Sequence, residues 1–294
     1  MEMVKNQALR NMNKNIKNIW NEFVYGGHLL ALGDAIAMYV IGVILGIPVT
    51  WHFLIIIYLC VFSSNLFNRS DEANHDKLTN PVRVKVMKKY MDNIYPITSI
   101  ALLIVIGFIL HFRGAEVLLL AVFIFLISLL YTMIFKKMTM YIIGFKSIVA
   151  ATFYSMMVLL LVFYHNFPIN MAVILMFIFY YVRIFISNAA CDIKDIESDK
   201  KRGLRTIYIA FGERKGTWFL NIINILSGLM IAWGVYANLL PTFSLALLVT
   251  IPYAIYYFYL NSKTNCKEFY TNAVVDGEFL FWLPFMLIGR LLFL

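Results

Sequence analysis

The sequence predicts an all-α protein that crosses a lipid bilayer about nine times, and three observations predict it. Of 294 residues, 62% are hydrophobic and 14% are charged, with a mean hydropathy of +0.77; soluble domains run roughly 45–50% apolar and about 25% charged. The apolar residues gather into nine runs, most of them close to the ~20 residues that cross the hydrocarbon. The basic residues crowd into every second connection between those runs.

Taken in order, the chain starts with a basic, Asn-rich arm, residues 1–22. It fits an interfacial amphipathic segment better than a cleaved signal, because the charged stretch is long and no small-residue cleavage site follows closely. Runs 27–47 and 49–67 meet at Pro48, and run 94–112 follows a long polar stretch and stops at Arg113 and Gly114. Run 115–135 stops at Lys136 and Lys137, run 140–165 stops before Pro168, and run 169–187 stops at an acidic stretch. Runs 217–239 and 242–260 are divided by Pro241, and run 277–294 closes the chain. Runs this long and continuous are helical, since a membrane barrel would show short alternating segments. Nothing divides the chain by composition, so one membrane domain, 1–294, is expected.

Lys5, Arg10, Lys14 and Lys17 lie in the arm, and six more basic residues lie between the second and third runs. With Lys136 and Lys137, seven between the sixth and seventh runs, and Lys263 and Lys267, these make 21 of the 25 Lys and Arg. All fall on one side of an alternating path, which the positive-inside rule makes cytoplasmic. A multi-pass protein of the cell membrane follows, with its N-terminus in the cytoplasm and its C-terminus on the opposite side. The formal charge of +9 then reflects topology and attraction to anionic lipid, with no nucleic-acid partner. Cys60, Cys191 and Cys266 are too few and too scattered for a disulfide framework or a zinc site. The five histidines form no ligand pattern.

Two acidic stretches stand out, each at the cytoplasmic end of a predicted helix. In the first, "NLFNRSDEANHDKLTNP", Asn68, Glu72 and Asp76 are four apart and stack on one helical face, with Asp71 beside it. In the second, "NAACDIKDIESDKKRG", Asn188 and Asp192 form one four-spaced pair and Asp195 and Asp199 another, while Glu197 is displaced from both. Like-charged carboxylates at this spacing repel by roughly 0.2–0.5 kcal/mol per exposed pair, so two such stripes at one membrane face call for cations. A few carboxylates combined with phosphate oxygens is the usual setting of Mg²⁺, and a diphosphate bridging the stripes through Mg²⁺ balances the charge. A calcium-loop reading of "DIKDIESD" lacks the central glycine.

The pair of stretches resembles the motifs of the UbiA-type intramembrane prenyltransferases, an Asn-led N-D-x-x-D-x-x-x-D after the second helix and D-x-x-x-D after the sixth. "DIESDKKRGLRT", residues 195–206, is similar to the second motif and its trailing Gly and Thr. "YTMIFKK", residues 131–137, with Lys146 in "GFKS", resembles the family's Tyr-Ser-x-x-x-Lys segment and the Lys that follows it. Arg69 stands where the family usually has Asp, Glu72 replaces the middle Asp, and the family's Arg-Pro before the first helix is absent.

The resemblance implies nine helices around a central cavity opening toward the cytoplasmic face, and an allylic prenyl diphosphate held on about two Mg²⁺ ions between the motifs. It implies metal ligands among Asn68, Asp71, Glu72, Asp76, Asp192, Asp195 and Asp199, with Asp76, Asp195, Asp199 and Lys146 as catalytic residues. Asn68, Lys136, Lys137, Arg183, Asn188 and Tyr131 would hold the substrate. Lys146 and Arg183 interrupt apolar runs, where a charge is costly and by default functional, although Arg183 also has the option of snorkelling to the interface. Asp34 is a rare intramembrane acid that either faces the cavity or makes a polar helix contact. Asp276 and Glu278 suit a helix N-terminus without any catalytic role. The expected reaction is transfer of the prenyl chain to a lipophilic acceptor, an aromatic quinone precursor above all. Cyclisation without an external acceptor stays open. A transporter is disfavoured, because the charges gather at one face rather than near mid-bilayer.

Overall fold

The computed structural model describes residues 2–73, 77, 79–263 and 267–293, and every regular element among them is helical. The order is α1 (Glu2–Tyr25), α2 (His28–Leu45), α3 (Trp51–Glu72), the short α4 (Pro81–Met87), α5 (Ile94–Phe112) and α6 (Ala115–Leu130). A π-helical turn (Tyr131–Phe135) runs into the single turn α7 (Lys136–Met138), followed by α8 (Phe145–Tyr164), α9 (Met171–Cys191), the short α10 (Ile196–Lys201) and α11 (Ile207–Tyr236). A 3-10 stretch (Thr242–Val249) leads into α12 (Thr250–Lys263); then come the turn α13 (Lys267–Phe269), a second π-helical turn (Tyr270–Val275) and α14 (Glu278–Phe293).

Seven helices among the described residues are long and apolar enough to cross a membrane. The fourth and ninth predicted runs form shorter helices: α6 has 16 residues before the π-helical turn, and α14 has 16 with Pro284 inside. Two boundaries moved for local reasons. Gly144 adopts a left-handed φ of 67°, so the run expected from residue 140 becomes helical only at Phe145. The run expected from residue 217 starts at Ile207 and bends at Gly212, whose φ of 78° and ψ of 163° interrupt the helix.

Each long helix packs on its predecessor, α2 on α3, α3 on α5, α5 on α6, α6 on α8, α8 on α9 and α9 on α11. The 3-10 stretch and α12 then bridge α11 to α14, and α14 returns to α2, which closes a ring. Met38, Ile41, Phe53, Met157, Phe179 and Trp282 fill the inside, while Leu103, Leu119, Ile222, Leu229 and Leu291 point outward. Hydrocarbon outside is as apolar as the core, so close packing and interhelical polar contacts hold such a ring together.

Two sets of polar contacts fix the ends of the ring. Where α3 begins, His52 Nδ1 lies 2.5 Å from the Tyr164 hydroxyl and Thr50 Oγ1 lies 3.3 Å from His165 Nε2, which ties the α2–α3 turn to the end of α8. At the other end α1 lies against α2 and α4, exposing Lys14, Lys17, Ile19 and Trp20 while burying Val24 and Tyr25. Glu22 accepts hydrogen bonds from the Tyr90 hydroxyl and from Lys89 Nζ, the latter at 2.8 Å.

Candidate active site

Both acidic stretches end on the same cavity. Asn68 and Glu72 reach it from the last turn of α3, Asn188 from the last turn of α9, and Asp192 and Asp195 from the link between α9 and α10. The cavity holds about 120 Å³ and is walled as well by Arg69, Arg83, Tyr131, Lys136, Lys146, Lys194 and Asp276. A second, more apolar chamber shares Leu30, Asn65, Asn68, Tyr131, Asn188, Cys191 and Asp276 with it and continues inward past Ser128, Phe153, Tyr154, Ile184 and Phe279. The polar and the apolar chamber thus adjoin, with seven residues in their common wall.

Local structure sets each side chain. The α3 spacing places Asn68 Nδ2 3.4 Å from Glu72 Oε2. The π-helical turn after α6 carries Lys136 inward, buried and paired with Glu72, and leaves Lys137 outside. Lys146 stands at the start of α8 because the preceding turn is stapled to the segment after α10. The Gly144 amide donates to the Arg205 carbonyl at 2.9 Å, the Arg205 amide to the Thr139 carbonyl at 2.9 Å, and the Lys146 amide to Thr139 Oγ1 at 3.0 Å. A Cβ on Gly144 would meet Ile207 Cγ1 at 3.3 Å, which keeps this junction tight. Lys146 Nζ then lies 3.0 Å from Asp192 and 2.7 Å from Asp199, and Lys194 Nζ lies 2.8 Å from Asp195. Asn80 Nδ2 donates to Asp195 Oδ1 at 3.2 Å, and Glu268 caps the start of α4 by accepting from the Val82 and Arg83 amides at 2.9 Å each.

Every described acid in the wall therefore faces a cation, and burial competes with that cation at each of them. Burial drives the Asp192 carboxyl above the usual carboxylate range, against the opposing pull of Lys146. Burial also acts on Asp195, but Lys194, Arg83 and Lys146 outweigh it and hold that carboxyl below its ordinary value.

The residues suit a hard cation shared with a phosphate. Asn68 Oδ1 and Asp192 Oδ2, one on each stretch, are buried with no hydrogen-bond partner, and buried oxygens are normally satisfied. Among the described residues no three acids, histidines or cysteines converge closely enough to hold an ion by themselves. Mg²⁺ typically takes one or two carboxylates plus substrate phosphates, which is the donor set this wall offers.

Several expected residues lie elsewhere. Arg183 does not line the cavity and does not snorkel. It is fully buried, with Nε 2.8 Å and Nη2 2.7 Å from Glu278 Oε1, Nη1 donating to Asn224 Oδ1, and Nη2 3.3 Å from the Thr250 carbonyl. The apolar run around it is crossed by one partner 95 residues later, which local sequence does not reveal. Asp71 is exposed on the far side of α3, and Lys137 is exposed. Asp199 sits behind the wall, buried against Lys146. Asp34 makes the polar helix contact, accepting from the Tyr180 hydroxyl, and lines neither chamber. Asp76 lies outside the described residues, as do His75 and Cys266.

Residue-by-residue reading missed Arg69, Arg83, Lys194, Asn80, Asn272 and Asp276. Arg83 and Asn80 sit in "TNPVR" and Lys194 sits between two motif acids, so proximity to the motifs was their one available signal. Asp276, expected only to suit a helix N-terminus, lines both chambers instead, and like Asn272 it comes from the other end of the chain.

Comparison with known proteins completes the picture. The family model of the UbiA prenyltransferase family matches residues 29–283, whereas no curated protein matches the chain. Among solved structures, a UbiA homologue from Archaeoglobus fulgidus bound to DMAPP and Mg²⁺ is similar at a TM-score of 0.64 and 13% identity, over 92% of this chain and 99% of that one. A UbiA homologue from Aeropyrum pernix without ligand is similar at 0.62 and 14%, over 90% and 96%. A structure concerned with digeranylgeranylglyceryl phosphate synthase is similar at 0.56 and 15%, over 94% and 98%. At such identities the likeness is one of fold, and the family match extends over all but the ends of the chain. The chain belongs to the UbiA prenyltransferase family.

Proposed function

We propose that the chain takes an isoprenyl diphosphate from the bilayer and transfers its prenyl group to a lipophilic acceptor, an aromatic quinone precursor being the favoured class. The observation that carries this reading is that the two chambers adjoin: seven residues are common to a polar, cation-lined wall and a mainly apolar interior. An amphiphile with a polyanionic head and a hydrocarbon tail fits that division.

In this reading Lys136 and Lys146 orient the diphosphate directly, the partnerless Asn68 and Asp192 oxygens would reach it only through a shared cation, and Asn188 and Tyr131 line the step from head to tail. Mg²⁺, present with DMAPP in the similar archaeal structure, would be held by Asn68, Glu72, Asp76, Asp192 and Asp195 with Asp199 behind them, and it supplies neutralisation of charge growing on the leaving diphosphate. Breaking the allylic carbon–oxygen bond sends its electron pair to the diphosphate and leaves an allyl cation. Tyr131, Phe153, Tyr154 and Phe279 wall that part of the interior, where they exclude water and offer aromatic faces to the cation. The cavity would open to the cytoplasm, in line with the distribution of Lys and Arg.

The test is diphosphate release in liposomes from geranyl, farnesyl and geranylgeranyl diphosphates with Mg²⁺, with and without aromatic acceptors. Release that needs the acceptor supports transfer. Release without it, together with a cyclic hydrocarbon, replaces transfer by cyclisation. No release from folded protein rejects both. Asp195→Ala and Asp76→Ala are each expected to abolish Mg²⁺-dependent release while the protein stays folded, and full activity in either would remove that residue from the site.

A further inference from the structure

Arg69 is the largest departure from the acidic motif, and the structure puts it in the wall of the polar cavity rather than turning it away. Its side chain is 4% exposed, Nη1 donates to the Tyr25 carbonyl at 2.7 Å, and Nη2 lies 3.8 Å from Asp276 Oδ2. Gly27, at a φ of 99°, lets the α1–α2 turn close over it: a Cβ there would stand 3.5 Å from Nη1. A guanidinium is therefore held in place by backbone and carboxylate before any substrate arrives. Arginine keeps its charge under all conditions and presents a planar fork that matches phosphate oxygens.

Charge decides what this does. The described wall carries Arg69, Arg83, Lys136, Lys146 and Lys194 against Glu72, Asp192, Asp195 and Asp276, an excess of one positive charge. An aspartate in place of Arg69 would turn that excess into a deficit of one. The swing of two unit charges equals the charge of one Mg²⁺ ion.

We propose that Arg69 binds the substrate diphosphate directly and takes the place of one metal ion, so that this chain loads a prenyl diphosphate with one Mg²⁺ where the full acidic motif would need two. The proposal rests on the prenyl-diphosphate reading above. It makes Arg69 a substrate-binding residue, and it makes metal demand a property of the motif's second position.

The test measures binding rather than turnover. Full-length protein in nanodiscs is titrated with the non-hydrolysable analogue geranyl thiodiphosphate across a series of free Mg²⁺ concentrations. The slope of log affinity against log free Mg²⁺ counts the ions taken up. Wild type is expected to give a slope of about one, and Arg69→Gln, which removes one of the two unit charges at stake, a slope raised above one with affinity at limiting Mg²⁺ reduced about tenfold or more, the usual scale for a lost charge-assisted contact. Arg69→Lys, which keeps the charge and loses the fork, should bind more weakly at an unchanged slope, and it covers the case in which the Gln variant does not fold. The double variant Arg69→Gln/Asp276→Asn separates binding from mere neutralisation of Asp276. If Arg69 contacts the diphosphate, the double variant keeps the raised Mg²⁺ demand. A return to the wild-type slope overturns the proposal, and so does a wild-type slope of two or an Arg69→Gln variant that binds like wild type. Absence of any Mg²⁺-dependent binding by folded wild type rejects the prenyl-diphosphate reading itself.

Discussion

Lys146 holds two carboxylates at once, at 3.0 Å from Asp192 and 2.7 Å from Asp199, in a setting where all three are nearly buried. Removing one partner of a buried ion pair costs about 3–5 kcal/mol, because the charge left behind has neither water nor counter-ion. Lys146→Met is therefore expected to lower the melting temperature sharply. Millimolar Mg²⁺ should return part of that loss, since a cation at Asp192 replaces the missing ammonium. Thermal melts with Mg²⁺ and with EDTA check this, and a melting temperature indifferent to both the substitution and the metal would count against Lys146 as the keystone of the second motif. The neighbouring pair Lys136 and Lys137 makes the same point by contrast. Identical in chemistry, they differ because successive residues on a helical turn point about 100° apart, which sets Lys136 inward and Lys137 outward.

At the scale of elements, Arg183 shows a charged residue in an apolar helix acting as a joint rather than as a ligand. Through Glu278, Asn224 and the Thr250 carbonyl it connects α9 to α14, α11 and α12. Asn224 Nδ2 donates to the Ile251 carbonyl at 3.0 Å and so carries the joint one step further. Arg183→Met should destabilise the protein by about 3–5 kcal/mol by leaving Glu278 uncompensated. The double variant Arg183→Met/Glu278→Gln should recover most of that loss, because no unpaired charge then remains in the core. Melting in detergent tests both, and diphosphate release by the double variant should persist, since neither residue lines the cavity.

At the scale of the whole molecule, the closed ring and the arrangement of basic connections fix which ends of the helices share a side. Lys137, beside the polar cavity, and Asn238, in the turn after α11, are both exposed and belong to opposite sides on the predicted path. In a background lacking Cys60, Cys191 and Cys266, a membrane-impermeant maleimide should label Lys137→Cys only in inside-out vesicles and Asn238→Cys only in right-side-out ones. Labelling of both from one side would break the proposed orientation.

Much of this was legible from the sequence, and the pattern of misses has a physical cause. Helix-forming apolar runs and four-residue spacing are local properties, so the α3 stripe of Asn68 and Glu72 and the second set of Asn188, Asp192 and Asp195 were found from the chain alone. Lys136, Lys146 and Tyr131 were found through motif likeness. The boundary at Gly144 was missed because a left-handed glycine breaks a helix without breaking an apolar run, and the start of α11 was missed because its first ten residues are helical but carry the charged stretch Glu213, Arg214 and Lys215. Asp71 and Lys137 were misplaced because residues adjacent in sequence point to different faces of a helix.

The sequence by itself determined a polytopic helical membrane protein with oxygen-bearing side chains at two helix ends, since composition, periodicity and charge placement act within a few residues. Only the tertiary structure decided which charges meet. It paired Glu72, Asp192, Asp195 and Asp199 with lysines and sent Arg183 to Glu278. It also brought Arg69 and Asp276, more than two hundred residues apart, into one wall. Coulomb interaction and desolvation depend on distance and burial in space, and neither is written in the order of the residues.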